Sequence, residues 1–231
     1  MKNPFMDFRP GSYQKKENPA QRSARGKQDI LEGIVKGYLC LVEEEIKDLS
    51  WVVEHSRVVK AYGAAVERLR NLKFDQEDIE AFCTKLDRSN RIPYLIPGPA
   101  GLFVSALVNL SQENHIQLRL EDFQRTLHFL GYGLVEGKTL TIHGDAGDFT
   151  GAGLSGGRLV IQGSTGNWCG AGMLSGEIWV SKRTGRNTGE WIQGGQIQVE
   201  GQIHSMGKNF YGGQIFEQGR RVTPEARQGN L

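Results

Sequence analysis

The chain of 231 residues has little of what marks many functional classes: three cysteines, five histidines, seven prolines and no long apolar run. Cys40, Cys83 and Cys169 are scattered and odd in number. They form neither a metal-spaced pair nor a disulfide framework, so free thiols in a reducing compartment are expected, with the cytoplasm as the location. The longest apolar stretch, Leu102–Leu110, is about half of the roughly 20 residues a membrane helix needs. No apolar signal-peptide core stands at the N-terminus, so export is not expected. His55, His115, His128, His143 and His204 include no pair at ligand spacing, and no metal or cofactor is assigned. Charge is nearly balanced at +2.

That balance is uneven along the chain. Residues 1–27 carry seven Lys/Arg against Asp7 and Glu17, while residues 28–130 carry twelve against sixteen acids. Residues 1–27 have no helical or strand period and read as a basic flexible tail. A solvated arm is the preferred reading of this tail. Nucleic-acid contact is disfavoured, because aromatics for base stacking are few and no recognition module follows.

Residues 28–90 read as a helical unit. Ile30, Leu31, Ile34, Val35, Tyr38, Val42, Ile46 and Leu49 recur at helical spacing, with Asp29 as the expected cap. Ser50 is expected to cap a second helix carrying Trp51, Val52, Val58, Val59, Tyr62, Val66 and Leu69, and Asp75 a third carrying Ile79, Phe82, Cys83 and Leu86. Residues 91–130 read as a connection and cap. Prolines in Ile92–Pro99 break the helices, and LFVSALVNL (102–110) and HIQLRL (115–120) are expected as two strands joined by SQEN.

What the sequence has in excess is glycine, 31 residues, of which 23 fall between Gly131 and Gly219. They mark a repeat. TLTIHG (139–144), RLVIQG (158–163), EIWVSK (177–182), QIQVEG (196–201) and QIFEQG (214–219) start 19, 19, 19 and 18 residues apart. Leu140, Leu159, Ile178, Ile197 and Ile215 form one column. Ile142, Ile161, Val180 and Val199 form another, which Glu217 breaks. Members of each pair are two apart and point to one side of a strand. The glycines Gly144, Gly147, Gly151, Gly163, Gly166, Gly170, Gly185, Gly189, Gly201 and Gly219 keep phase as turn formers. One such unit cannot build its own core, whereas stacked copies align their apolar columns into a continuous interior. The expected fold class is mixed: a helical N-terminal unit, then a parallel β-helix of about five coils over residues 131–221, then a short tail, 222–231.

The string GDAGDFTGAGLSGGRLVIQGSTGNWCGAGMLSGEIWV resembles the glycine-repeat (GXGXG) domain at the C-terminus of the glutamate synthase large subunit, a domain that also forms one of the subunits of formylmethanofuran dehydrogenase. The resemblance covers roughly Gly131 to Arg221. It implies a right-handed β-helix and a structural job, packing against catalytic domains or subunits. The amidotransferase cysteine, flavin barrel and cluster cysteines of glutamate synthase have no counterpart here.

No catalytic constellation is evident. If the chain were an enzyme in glutamate-derived or one-carbon metabolism, Asp145, Asp148, Cys169 and His204 would be the candidates. Asp148 and Asn167 share a corner position and suit turns. Cys169 has no partner base and fits a core position. Trp168, Trp179 and Trp191 suit core or interface. The expected role is a non-catalytic scaffold joined to a larger oxidoreductase or amidotransferase-like subunit, or to itself; the alternative to a scaffold or an enzyme is a homo-oligomer built from the helices, its basic tail touching nucleic acid or acidic protein. Residues 92–130 are expected to cap the first coil, and the C-terminal end, which looks less protected, to carry a partner or a symmetry mate.

Overall fold

The computed structural model describes residues 27–45, 53–88 and 97–223. Four helices, α1 (Lys27–Glu45), α2 (His55–Leu69), α3 (Gln76–Arg88) and α4 (Pro97–Leu110), precede seven strands. These are β1 (His115–Arg119), β2 (Thr139–His143), β3 (Ser155–Gln162), β4 (Ser175–Val180), β5 (Gln196–Val199), β6 (Gln214–Glu217) and β7 (Arg220–Arg221). Strands β1 to β6 pair in parallel in chain order. This is a β-solenoid, as the repeat requires. The five repeated strands β2–β6 bound about four regular turns rather than five coils, a small difference from the sequence reading.

The helical unit follows its amphipathic faces, with the termini adjusted. Asp75 caps α3 in a reciprocal box: the Asp78 N–H donates to Asp75 Oδ1 and the Asp75 N–H to Asp78 Oδ2, at 3.1 and 3.0 Å. Asp29 is not a cap, because α1 begins two residues earlier and Asp29 lies in its first turn, where a carboxylate suits the helix dipole. The cap position of α2 is Glu54, in extended backbone. Ser50, Trp51 and Val52 lie outside the described residues, as do residues 1–26.

The main correction concerns residues 102–110, which form the body of helix α4 and not a strand. The cause is burial on all sides: residues 98–108 are all buried. A helix enclosed by α1, α2, α3 and the first coil shows no charged, solvent-facing side, and its apolar run cannot be told from a core strand by period. Pro97 and Pro99 fall in its first turn, where no intrahelical N–H bond is lost.

Helix α4 joins the two halves. Gly101, Ser105 and Asn109 are spaced four apart on one helix face. The Ser105 hydroxyl donates to the Phe129 carbonyl at 2.8 Å and accepts from the Tyr132 N–H at 3.2 Å. The Asn109 amide donates to the Tyr132 carbonyl, and its oxygen accepts from the Val135 N–H. The buried Lys138 ammonium donates to the Ser111 and Glu113 carbonyls, satisfying the chain just past the C-terminus of α4.

Strand β1 extends the solenoid sheet upstream of the repeat. Ile116 pairs with Leu140 and Leu118 with Ile142, continuing both aliphatic columns. The connection from β1 to β2 is longer than a regular coil, which is why the nineteen-residue rhythm does not reach it. Both columns are buried essentially completely through Ile215 and Val199. A second interior corner is lined by Thr150, Cys169 and Thr188.

The C-terminal edge of the sheet, which looks less protected in the sequence, is covered by the chain itself. Strand β7 turns back antiparallel on β6, the Val222 N–H donates to the Ile215 carbonyl, and the Thr223 hydroxyl accepts from the Ile215 N–H. Glu217, the residue that breaks the aliphatic column, accepts the Ile203 N–H at 2.6 Å. In earlier coils the aligned N–H groups of Ala146, Thr165 and Thr184 donate to the next coil's carbonyls. Among the described residues no carbonyl of a further coil accepts the Ile203 N–H, and the Glu217 carboxylate takes that place.

Candidate functional site: the outer corner of the solenoid

The corner after each repeated strand carries most of the sequence-predicted site residues. Its side chains build a ladder from coil to coil. The Asp148 N–H donates to His128 Nδ1 at 2.8 Å, the Asn167 N–H to Asp148 Oδ1 at 2.6 Å, and the Arg186 N–H to Asn167 Oδ1 at 2.8 Å. Alongside, the Ser164 N–H donates to Asp145 Oδ1 at 2.7 Å. Each acceptor satisfies a backbone donor where the chain bends away from the sheet.

The glycines of this corner divide into two groups. Gly144, Gly151, Gly170, Gly189 and Gly219 adopt positive φ. Gly147, Gly163, Gly166, Gly185 and Gly201 do not, and are glycine because a neighbour fills the Cβ position. A Cβ on Gly166 would stand 2.2 Å from Asp148 Oδ1, and one on Gly185 2.6 Å from Asn167 Oδ1. The absence of a side chain at these glycines is therefore what admits the ladder.

The four candidate residues are not brought together. Asp145 and Asp148 lie on the first repeated coil and are bonded to the second. Cys169 lies on the second coil but points into the core, wholly buried. Burial pushes its thiol up to about 11, a hydrogen bond with Thr165 opposing this in part, so it is a poor nucleophile at neutral pH. Cys83 in α3 is held higher still, at about 12, by burial and then by Glu80. His204 is exposed on the fourth coil, its Nε2 3.4 Å from Arg186 Nε. Among the described residues no three His, Cys, Asp or Glu side chains converge as a metal site, and no helix is long and apolar enough to cross a membrane.

Three structural residues escaped the sequence reading. Glu190 is buried where the preceding coils have Ala152 and Ala171, and its carboxylate accepts the Lys208 N–H and the Asn209 side-chain amide. A carboxylate in an alanine column was the available signal. Glu217 was visible as a column break, though its capping role was not. His128 heads the ladder from the irregular first coil, outside the repeat phase, and had no signal.

The aromatic residues also stack along the axis. Phe129, Phe149, Trp168 and Trp191 form a series with ring centroids 4.7, 5.7 and 5.2 Å apart. All four have positive φ, near 60°. Phe129, Phe149 and Trp168 share one ladder position. Trp191 comes from a different position, where earlier coils have Gly153 and Gly172, and caps the series. Such stacking stabilises each turn against the next.

His128 gives the corner a pH dependence. Its Nδ1 accepts a hydrogen bond, so the ring is neutral with the proton on Nε2. Burial lowers its pKa below the ordinary histidine value of about 6.5, with the Asp148 carboxylate partly opposing. Because the folded value is the depressed one, the contribution to stability is present above about pH 6.5 and falls as pH drops toward the folded value. His128→Asn keeps an accepting oxygen, as Asn167 does in the same column. Its urea unfolding is expected to show a shallower loss of stability between about pH 6.5 and 5 than the parent chain. Equal slopes would assign the acid sensitivity elsewhere.

No protein-family model matches the chain, and searches of curated proteins and of solved structures return no match.

Proposed function

We propose that this chain is a non-catalytic scaffold of the cytoplasm, a β-solenoid with an attached helical unit that docks onto a larger oxidoreductase or amidotransferase-type subunit. The observation that carries the reading is the corner ladder. Asp145 and Asp148, the carboxylates best placed for chemistry, each accept a backbone N–H of the next coil. The buried Cys169 and the distant His204 complete no acid–base or nucleophilic pair with them. The resemblance of the repeat to the glutamate synthase C-terminal domain supports the class of partner, since that domain packs against catalytic domains.

The test is affinity isolation of the tagged chain from the cells that make it, with absorbance spectra of both the complex and the chain alone. The expected result is a stoichiometric larger subunit that carries the flavin or iron–sulfur absorbance, and a colourless isolated chain. Stoichiometric flavin, metal or cluster absorbance in the isolated chain would overturn the scaffold reading.

A further inference from the structure

We infer that the ladder corner is a self-complementary docking surface on which a second copy of this chain pairs about a two-fold axis. Two adjacent columns there change sign in step along the solenoid. One runs Asp145, Ser164, Arg183 and the other Asp148, Asn167, Arg186, as the coil register and the cross-coil hydrogen bonds place them. Each column passes from negative through neutral to positive over two coil steps, about 10 Å at the usual strand separation.

A two-fold axis lying in the contact plane, at right angles to the solenoid axis and level with the neutral middle coil, turns one surface onto the other and reverses the coil order. It sets the acidic coil of one copy against the basic coil of the other, twice. That is the arrangement an isologous interface requires: where residue i meets j, j meets i. Lys182 reinforces the basic end, standing where the other coils have glycine. An open groove of about 410 Å³ lies along the same corner, lined from Asp145 through Ser164 to Arg183 and Gln202. Arg183 and Arg186 are exposed and have no ion-pair partner among the described residues, whereas Arg158 on the sheet face meets Glu177 at 3.5 Å.

The observations favour a second copy over other occupants. A nucleic acid would meet the acidic coil within the same groove, which interrupts a track of phosphates. An acidic protein would match the basic coil and be repelled by the acidic one. A second copy, reversed, carries the order of charge that matches both ends at once. This inference does not depend on the scaffold reading, because a chain bound to a larger subunit can be single or paired.

The experiment is sedimentation velocity on the whole chain at low and high salt. A dimer is expected at low ionic strength, with the dissociation constant rising roughly tenfold or more as salt screens the pairs. Arg183→Glu with Arg186→Glu makes both ends of the surface acidic and is expected to give a monomer at low salt, with thermal unfolding unchanged. Asp145→Asn with Asp148→Asn keeps the accepting oxygens of the ladder while removing the charge. That pair is expected to weaken the dimer in the same direction with the fold intact. A wild-type monomer at low salt would overturn the inference, as would a dimer unaffected by the arginine reversal.

Discussion

Gly101→Ala is expected to uncouple helix α4 from the solenoid and to lower global stability by several kcal/mol, on the order of 3 or more. The reason is geometric. A Cβ at residue 101 would stand 1.6 Å from the His128 carbonyl oxygen, and the atom in the way is backbone, which cannot rotate aside. Relief requires the helix to lift from the segment 128–135. That motion strains the hydrogen bonds of Ser105 to Phe129 and Tyr132 and of Asn109 to Tyr132 and Val135, all made from the same helix face. Each buried polar group left without its partner costs about 1–3 kcal/mol. Helix α4 is also the element around which α1, α2 and α3 pack, so the damage reaches the helical unit. Chemical denaturation with a probe in each half is the measurement. The variant should unfold at lower denaturant, and its two probes should no longer coincide. A midpoint within experimental error of the parent would mean that the helix does not rest on the first coil in this way. As a control, Gly63→Ala in α2 meets nothing within 4 Å and is expected to be neutral or slightly stabilising.

The solenoid was legible because its geometry recurs. A side chain that is wrong in one coil is contradicted by the same column in the next. Leu140, Leu159, Ile178, Ile197 and Ile215 were therefore identifiable as core without any knowledge of the turn. The helices α1 to α3 were legible through their one-sided apolar faces. Helix α4 was not, because complete burial erases the charged, solvent-facing side that distinguishes helix from strand. Strand β1 was recognised by its alternation, but its membership in the solenoid was hidden by the longer connection to β2. The corner was half legible. Phase identified Asp148 and Asn167 as equivalent turn residues, whereas the bond each makes to the following coil depends on a spatial offset that period alone does not encode. The caps were least legible. Glu190 and Glu217 act only where the repeat ends or shortens; comparing coils marks each as a break in its column, but the bond that a once-occurring residue makes has no second example to reveal it.

The caps bear on how this molecule meets others. A parallel stack with an open last strand would invite continuation by another chain. Here β7, Val222 and Thr223 cover the edge of β6, and Glu217 satisfies an N–H of the preceding corner. At the other end, helix α4 and the segment 127–135 close the first coil. The proposed pairing accordingly uses the side of the solenoid, where the charged corner lies, and not the covered edge of β6.

Gly170→Ala is expected to cost about 2–5 kcal/mol, through two separable causes. The first is conformational: Gly170 has φ +66°, and an L-residue there costs roughly 1–2 kcal/mol. The second is packing: the new Cβ would lie 2.4 Å from Ile197 Cδ1, inside the aliphatic column. Ile197 is wholly buried between Ile178 and Ile215, so its displacement passes to both neighbours, and overpacking of this kind typically costs about 1–3 kcal/mol. Gly219→Ala separates the two causes. Its φ is +75°, yet a Cβ there meets nothing within 4 Å, so only the conformational part is expected. Urea unfolding of both variants should place Gly170→Ala well below Gly219→Ala. The further substitution Ile197→Val in the Gly170→Ala background removes the clashing Cδ1 and should recover part of the difference, where in the parent chain it would cost about 0.5–1.5 kcal/mol. Equal losses for the two glycine variants, or no recovery on shortening Ile197, would show that the corner does not press against the column. The positive-φ glycines would then be required by backbone conformation alone.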